Sequence, residues 1–334
     1  MALFKRLITG LMMAVLLLGA IPYAASAADT VLYTAVVIKP CTLRAEPADD
    51  GKSVDGIPQG ATIQIYEVTP VWVRAKYDGN TGYVKRTLIT KVTPLDPVNT
   101  PPYGVFKHVY MAVTAETTPV LYEPKEGAKA HVTLGPGAKI SILEINDGWA
   151  KVPYWKEYGY VDTRLLKDLT PVSPTDTPVS GETPIAAFTS FYNVATNEAN
   201  IGRMKNIAVA CERVSRVIQA GEVLDFNKQI GPWSKANGYF DAPVLVNGAS
   251  DLGPGGGTCQ VSSTFYNTIL QLPGVTVLYR RPHGPAGARY LPHGVDAAVG
   301  SDTLNLKIRN DYDFPIRVEA TAKDGALFMC IYKQ

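Results

Sequence analysis

The residues best suited to chemistry sit behind a glycine run. Gly253-Pro254-Gly255-Gly256-Gly257 leads directly into Thr258-Cys259-Gln260-Val261-Ser262-Ser263-Thr264-Phe265-Tyr266-Asn267. Val261, Phe265, Ile269 and Leu272 recur at helical spacing, and Pro273-Gly274 ends the pattern. This predicts a helix that opens at Cys259 and carries the thiol off its apolar stripe. A thiol there meets the positive end of the helix dipole and backbone N–H groups without intrahelical partners. Both favour the thiolate, the nucleophilic form. Gly255, Gly256 and Gly257 let the backbone approach a substrate closely, and N–H groups from this loop through Thr258 and Gln260 can be aimed at a developing oxyanion. A phosphate loop would need Gly-Lys-Ser/Thr at the end of the run, and the lysine is missing. The plain alternative is a structural glycine turn before a helix that buries its cysteine.

A cysteine nucleophile needs an imidazole to hold its proton, and the imidazole needs an orienting partner. Arg280-Arg281-Pro282-His283-Gly284 follows a β-rich run, and Tyr290-Leu291-Pro292-His293-Gly294-Val295-Asp296-Ala297 comes next. His283 is the candidate base and Asp296 its candidate orienter, against the alternative of a histidine on a solvated loop. Arg280 and Arg281 are candidates for holding substrate carboxylates, although exposed arginines often hold nothing. A zinc site from Cys259, His283 and His293 has no support from ligand spacing, so no metal and no other cofactor is expected. The remaining cysteines read as packing. Cys41 lies in an alternating strand, Cys330 in the last strand, and Cys211 on the stripe Ile207, Cys211, Val214, Ile218 of a helix predicted over 203–221. Strand alternation (Leu304, Leu306, Ile308; Ile316, Val318, Ala320) and a turn at Lys323-Asp324-Gly325 fill the rest.

These groups need a scaffold, and prolines mark its joints. Lys5 and Arg6, an apolar run from Leu7 to Ala20, and Ala25-Ser26-Ala27 read as a signal peptide over 1–27, with an uncleaved anchor as the alternative. The expectation is a secreted, wall-associated protein with no stable membrane insertion after cleavage. Losing Lys5 and Arg6 leaves 30 basic side chains against 30 acidic ones, which argues against nucleic-acid binding. Stretches rich in Pro, Thr and Ser at 92–103 and 169–185 read as exposed, semi-rigid linkers. They delimit segments 31–91, 104–168 and 186–334.

The first two segments repeat each other. Gly60-Ala61-Thr62-Ile63-Gln64-Ile65 matches Gly137-Ala138-Lys139-Ile140-Ser141-Ile142, Val71-Trp72-Val73-Arg74 matches Gly148-Trp149-Ala150-Lys151, and Thr81-Gly82-Tyr83-Val84 matches Tyr158-Gly159-Tyr160-Val161. Short alternating runs bounded by Gly, Pro and Asp suit strands of a small barrel. The motif order resembles the bacterial SH3-like domain. Leu43-Arg44 fits its opening strand, while Leu121-Tyr122 lacks the usual arginine. The resemblance implies binding to peptidoglycan or its stem peptides, while Trp72 and Trp149 read as core aromatics.

The third segment resembles the VanW family from about Tyr192 to Tyr332. The carriers are Arg203-Met204-Lys205-Asn206-Ile207, Gly221-Glu222-Val223-Leu224-Asp225-Phe226-Asn227, Gly238-Tyr239, Gly255 through Ser262, the His283 loop and Gly294-Val295-Asp296-Ala297. Ala220-Gly221-Glu222 replaces the family's Pro-Gly-Glu, and His293 stands where the family is variable. The expected architecture is therefore multidomain: two small all-β SH3-like barrels followed by an α+β VanW-type domain. The resemblance implies a noncanonical L,D-transpeptidase that uses the motif cysteine to form 3→3 cross-links between stem peptides. Two rivals stand beside it. One is a noncatalytic wall-binding or scaffold protein. The other is a cysteine peptidase of the NlpC type, which usually carries Asp-Cys-Ser where this chain has Thr258-Cys259-Gln260. Nothing in the sequence fixes an oligomeric state.

Overall fold

The computed structural model describes residues 31–69, 71–95, 103, 105, 107–178, 180–246, 249–283, 288–291 and 295–334. The expected signal peptide, most of the first linker and His293 lie outside these residues. Among the described residues, no helix is long and apolar enough to cross a membrane.

Alternation in the first repeat becomes one antiparallel sheet of seven strands, ordered Ser53–Ile57, Cys41–Arg44, Asn80–Lys85, Trp72–Tyr77, Thr62–Val68, Tyr33–Val37, Ile89–Pro94. Leu43, Ile57, Ile63, Ile65, Val73, Ala75 and Val84 fill its core. Register shifts between Thr34 and Val36, Leu43 and Arg44, and Ile65 and Glu67 give the bulges that bend such a small sheet. The first and last strands of this order remain edges, so the sheet is not the closed barrel expected from the repeat. Part of the first expected linker, up to Pro94, continues the last strand.

The second repeat follows the same strand order in two pieces, because the counterpart of Thr62–Val68 breaks at Leu143 into Lys139–Ile142 and Glu144–Asn146. One piece is Ala130–Leu134, Thr118–Leu121, Glu157–Asp162, Trp149–Tyr154, Glu144–Asn146; the other is Lys139–Ile142, Tyr110–Thr114, Leu166–Pro171. The two tryptophans expected in the cores differ. Trp72 is buried, but Trp149 is only half-buried.

The last segment centres on a four-stranded antiparallel sheet ordered Ala186–Phe191, Ala326–Lys333, Ile316–Lys323, Val217–Ile218. Helix α1 (Glu198–Val214), capped by the Asn197 side chain, packs on Ile316–Lys323. A second helix, α2 (Phe226–Gln229), is a single turn, and α3 (Thr258–Ile269) packs against α1 and on the first two strands. A three-stranded sheet (Val223–Asp225, Leu306–Asn310, Val275–Arg280) and a hairpin (Asp241–Val246 with Ala249–Pro254) complete it. The helix expected over 203–221 stops at Val214. Ser215 Oγ donates to the Cys211 carbonyl, and Val217 and Ile218 pair with Arg317 and Ile316 instead. Ile218 is buried, but as an edge strand, so its helical spacing was coincidental.

The two units share a core. All six residues of Ala186–Phe191 are buried, because α3 covers one face and Lys139–Ile142 of the second repeat covers the other. Ser141 bonds Thr189 Oγ1 through its backbone N–H at 2.8 Å, and Phe191 and Ala326 pack with Val120, Ile140 and Val152. The linker expected over 169–185 is correspondingly not exposed throughout: Val172, Ser173 and Ile185 are buried, with Val172 against Phe328 and Cys330. Phe191→Ala should therefore destabilise the second repeat and the last segment together, by about 3–5 kcal/mol. Denaturant unfolding checks this, and two separate transitions with only one shifted would contradict the shared core.

Candidate active site

Helix α3 is buried nearly all round, and its polar side chains have specific tasks. Val261, Phe265 and Ile269 point into the core as their spacing implies. On another side, the helix grips the extended segment 295–299. Asn267 Nδ2 donates to the Val295 carbonyl at 2.7 Å, and Ser262 Oγ donates to the Ala297 carbonyl at 2.6 Å. Ser263 Oγ accepts the Ala297 N–H at 2.9 Å. One turn earlier, Cys259 Sγ lies 3.3 Å from the Val299 carbonyl and 3.4 Å from its N–H. Backbone contacts at 295, 297 and 299 thus fix where Asp296 stands.

The His283 loop is zipped to the same segment by the Ala298 N–H, which donates to the Arg281 carbonyl at 2.7 Å. Asp296 Oδ2 accepts both the His283 backbone N–H at 2.7 Å and its Nδ1 at 2.6 Å. That leaves Nε2 as the ring nitrogen available to Cys259, whose charge acts on the imidazole. The Asp296 side chain is 2% exposed and that of His283 20%. Burial alone would lower the histidine pKa, but the hydrogen bond to Asp296 and the charges of Cys259 and Asp296 outweigh it and carry it to about 10. Burial works to raise Asp296, and the bonds from His283 overcome it, holding the carboxyl below its ordinary range. Cys259, His283 and Asp296, far apart in sequence, stand together.

The glycine run is shaped by packing as much as by chemistry. Gly257 sits at φ +105°, and a Cβ there would lie 2.8 Å from Arg203 Cγ; one on Gly256 would lie 2.5 Å from the Pro243 carbonyl oxygen. Asn206 of α1, fully buried, donates through Nδ2 to the carbonyls of Phe240 and Gly256. Three amides expected to face an oxyanion are already used. Those of Thr258 and Gln260 donate to the carbonyls of Gly255 and Gly257, and that of Gly255 donates to Phe240.

Arg280 and Arg281 stand in different surroundings. Arg280 lies 5.0 Å over the Tyr266 ring and acts electrostatically on Asp296, whereas Arg281 is exposed and donates to Tyr279 Oη. Arg203, which sequence reasoning did not single out, is a second cation whose charge acts on Cys259. Its stem crosses Gly257, and its guanidinium donates to Gln260 Oε1 at 2.7 Å. Gln260 Nε2 in turn holds Ser190 Oγ and the Phe191 carbonyl. The signal was present: Arg203 heads the same stripe as Ile207, Cys211 and Val214, and a charge on a buried stripe needs a partner. Tyr290 was also missed, and its buried hydroxyl faces Ser263 with Cys259 and Arg203 close by. Among the described residues, no three His, Cys, Asp or Glu side chains gather as metal ligands.

The family described as "VanW like protein" matches residues 202–332, the stretch that contains α1, α3, Cys259, His283 and Asp296. That segment is a VanW domain. Residues 41–90 match the bacterial SH3 domain and constitute one, within the seven-stranded sheet. Two curated relatives match part of this chain. The "Uncharacterized protein YoaR" of Bacillus subtilis (strain 168) is 29% identical over 183 residues, 54% of this chain and 55% of that protein. The "Vancomycin B-type resistance protein VanW" of Enterococcus faecalis is 28% identical over 124 residues, 36% of this chain and 45% of its own length. The chain spans about half the length of these curated relatives. The solved structure of NlpC1 from Trichomonas vaginalis aligns over 86% of this chain and 91% of its own at a TM-score of 0.17 and 12% identity, too low to establish a shared fold.

Proposed function

We propose that this chain is a cell-wall-associated thiol acyltransferase, an L,D-transpeptidase that joins peptidoglycan stem peptides by 3→3 links. The observation that carries the reading is the Cys259–His283–Asp296 arrangement, with Asp296 Oδ2 2.6 Å from His283 Nδ1 and the imidazole near enough to Cys259 to feel its charge. With the thiol proton held by His283, the sulfur attacks the carbonyl between a diamino acid and a terminal D-Ala. The oxyanion forms against the Cys259 N–H in the first turn of α3, where the helix dipole favours negative charge. His283 protonates the leaving amine as the C–N bond breaks, D-Ala departs, and a thioester remains. An amine from a neighbouring stem then attacks; His283 takes its proton, the C–S bond breaks, and the thiolate returns. Water in place of the amine would give carboxypeptidase activity. Arg203 supplies positive charge that acts on Cys259, suited to the carboxylate of the departing D-Ala.

The bacterial SH3 domain and the second repeat, read as its SH3-like copy, hold the protein at the wall, and residues 1–27, read as a signal peptide, direct it out of the cell. Incubation of the full chain with purified muropeptides, followed by mass spectrometry, tests the reading. Dimers linked between two diamino acids are expected, and recovery of unaltered monomers alone would leave a binding or scaffold protein.

A further inference from the structure

The internal repeat supplies its own control at one turn. In the first repeat, strands Trp72–Tyr77 and Asn80–Lys85 are joined by Asp78-Gly79, both at positive φ (44° and 82°), the residues this tight turn favours. The corresponding turn of the second repeat, between Tyr154 and Glu157, is Trp155-Lys156. Trp155 is held at φ +53°, a conformation that bulky side chains rarely adopt. Trp155 is nevertheless 42% exposed, so burial does not explain it. Backbone strain kept where local preference opposes it is characteristic of functional positions.

The exposed ring is the end of a stack. Trp155 lies nearly parallel to Tyr154 (8°, centroids 5.5 Å apart), Tyr154 stacks on His131 at 4.3 Å, and His131 meets Tyr122 at 3.5 Å. Tyr122 is also 42% exposed. The rim carries both signs, with Lys129 over the Tyr122 ring and Glu157 3.9 Å from His131 Nε2. The stack connects through the core to the candidate active site. Tyr154 packs against Phe191 at 5.1 Å, the Phe191 carbonyl accepts from Gln260, and Gln260 follows Cys259. Lys156, on the same turn, is near enough to Asp296 to feel its charge.

We infer that Trp155, the exposed end of the Trp155–Tyr154–His131–Tyr122 stack, is a carbohydrate subsite, which takes a pyranose ring of a glycan strand while its attached stem reaches Cys259. A pyranose offers an apolar C–H face to an aromatic ring and hydroxyls at its edge to a rim of mixed charge. A polyanion would call for a uniformly basic rim instead. The inference takes its polymer from the proposed wall function but does not depend on the thiol chemistry.

The test is titration of the full chain with peptide-free glycan strands by calorimetry, with thermal unfolding measured in parallel. Transplanting the first repeat's turn, Trp155→Asp with Lys156→Gly, should weaken glycan binding about tenfold, the scale of one lost aromatic stack. The same change should raise Tm, because it relieves the strained turn. Trp155→Phe should keep most of the affinity. Glycan binding that is absent in the parent chain, or that survives the transplanted turn, overturns the subsite; so does weakened binding by Trp155→Phe equal to that of the transplant. Cross-linking is not read, so failure of the transpeptidase reading would leave a positive glycan result standing.

Discussion

Cys259→Ser should abolish formation of cross-linked muropeptide dimers while the fold persists. The hydroxyl fits where the thiol sits against Val299, but it is a far weaker nucleophile at this position. Loss of a nucleophile that works with a base commonly costs roughly 10⁴–10⁶-fold in turnover. The other cysteines supply the contrast. Burial pushes the Cys211 thiol up to about 12, and burial likewise carries Cys330 to about 11. Peptide mapping after brief iodoacetamide treatment should accordingly find Cys259 labelled first and those two last. Cys211→Ser should lower stability by about 1–3 kcal/mol, because it places a hydroxyl in an apolar core, and should leave cross-linking intact. Normal dimer formation by Cys259→Ser would end the thiol mechanism and leave a binding module.

Asp296→Asn should lower turnover by about 10⁴-fold, the scale seen when a triad carboxylate is made neutral. The amide can no longer hold the imidazolium charge, and its NH2 can turn toward His283 and favour the wrong tautomer. The variant also predicts a change in pH dependence. His283 is raised from 6.5 to about 10 in the folded protein, so the stability it contributes is complete below about pH 6.5 and is lost as pH rises through about 10. Asp296 is lowered, so its contribution is present above its ordinary pKa near 3.8 and is lost as pH falls through the lower folded value. Between these limits the pair is intact and turnover should be flat with respect to His283. Turnover should fall as pH rises through about 10, when the proton for the leaving amine is gone. In Asp296→Asn the His283 pKa should drop toward 6.5 and carry that alkaline limb down with it. A pH profile with the same limb in both proteins would mean that Asp296 does not set the state of His283.

Features written in local spacing are legible in the chain's residue order. The strand order of the first repeat recurs in the second, and Val261, Phe265 and Ile269 bury the face of α3 that their period marks. The start of α3 after a glycine run is equally local, because capping and dipole effects act within one turn. The helix reading fails past Val214, where Ile218 satisfies helical spacing while tertiary pairing with Ile316 claims it for a strand. The exposed linker fails at its ends for the same reason: Val172 and Ile185 find partners across the domain boundary.

Sequence by itself determined the residue types available for chemistry, the repeat and the position of Cys259 in its helix, since each depends on neighbours within a few residues. Only the tertiary structure decided which groups meet. The approach of His283 and Asp296 to Cys259 rests on backbone bonds from Asn267, Ser262, Ser263 and Cys259 to segment 295–299, contacts that span 28 to 40 residues. The same structure used the amides of Thr258 and Gln260 within the loop and set Arg203 against Gly257. It also brought a strained tryptophan of the second repeat beside the VanW domain through Tyr154 and Phe191. Such placements depend on how whole faces pack, and no periodicity within one segment encodes them.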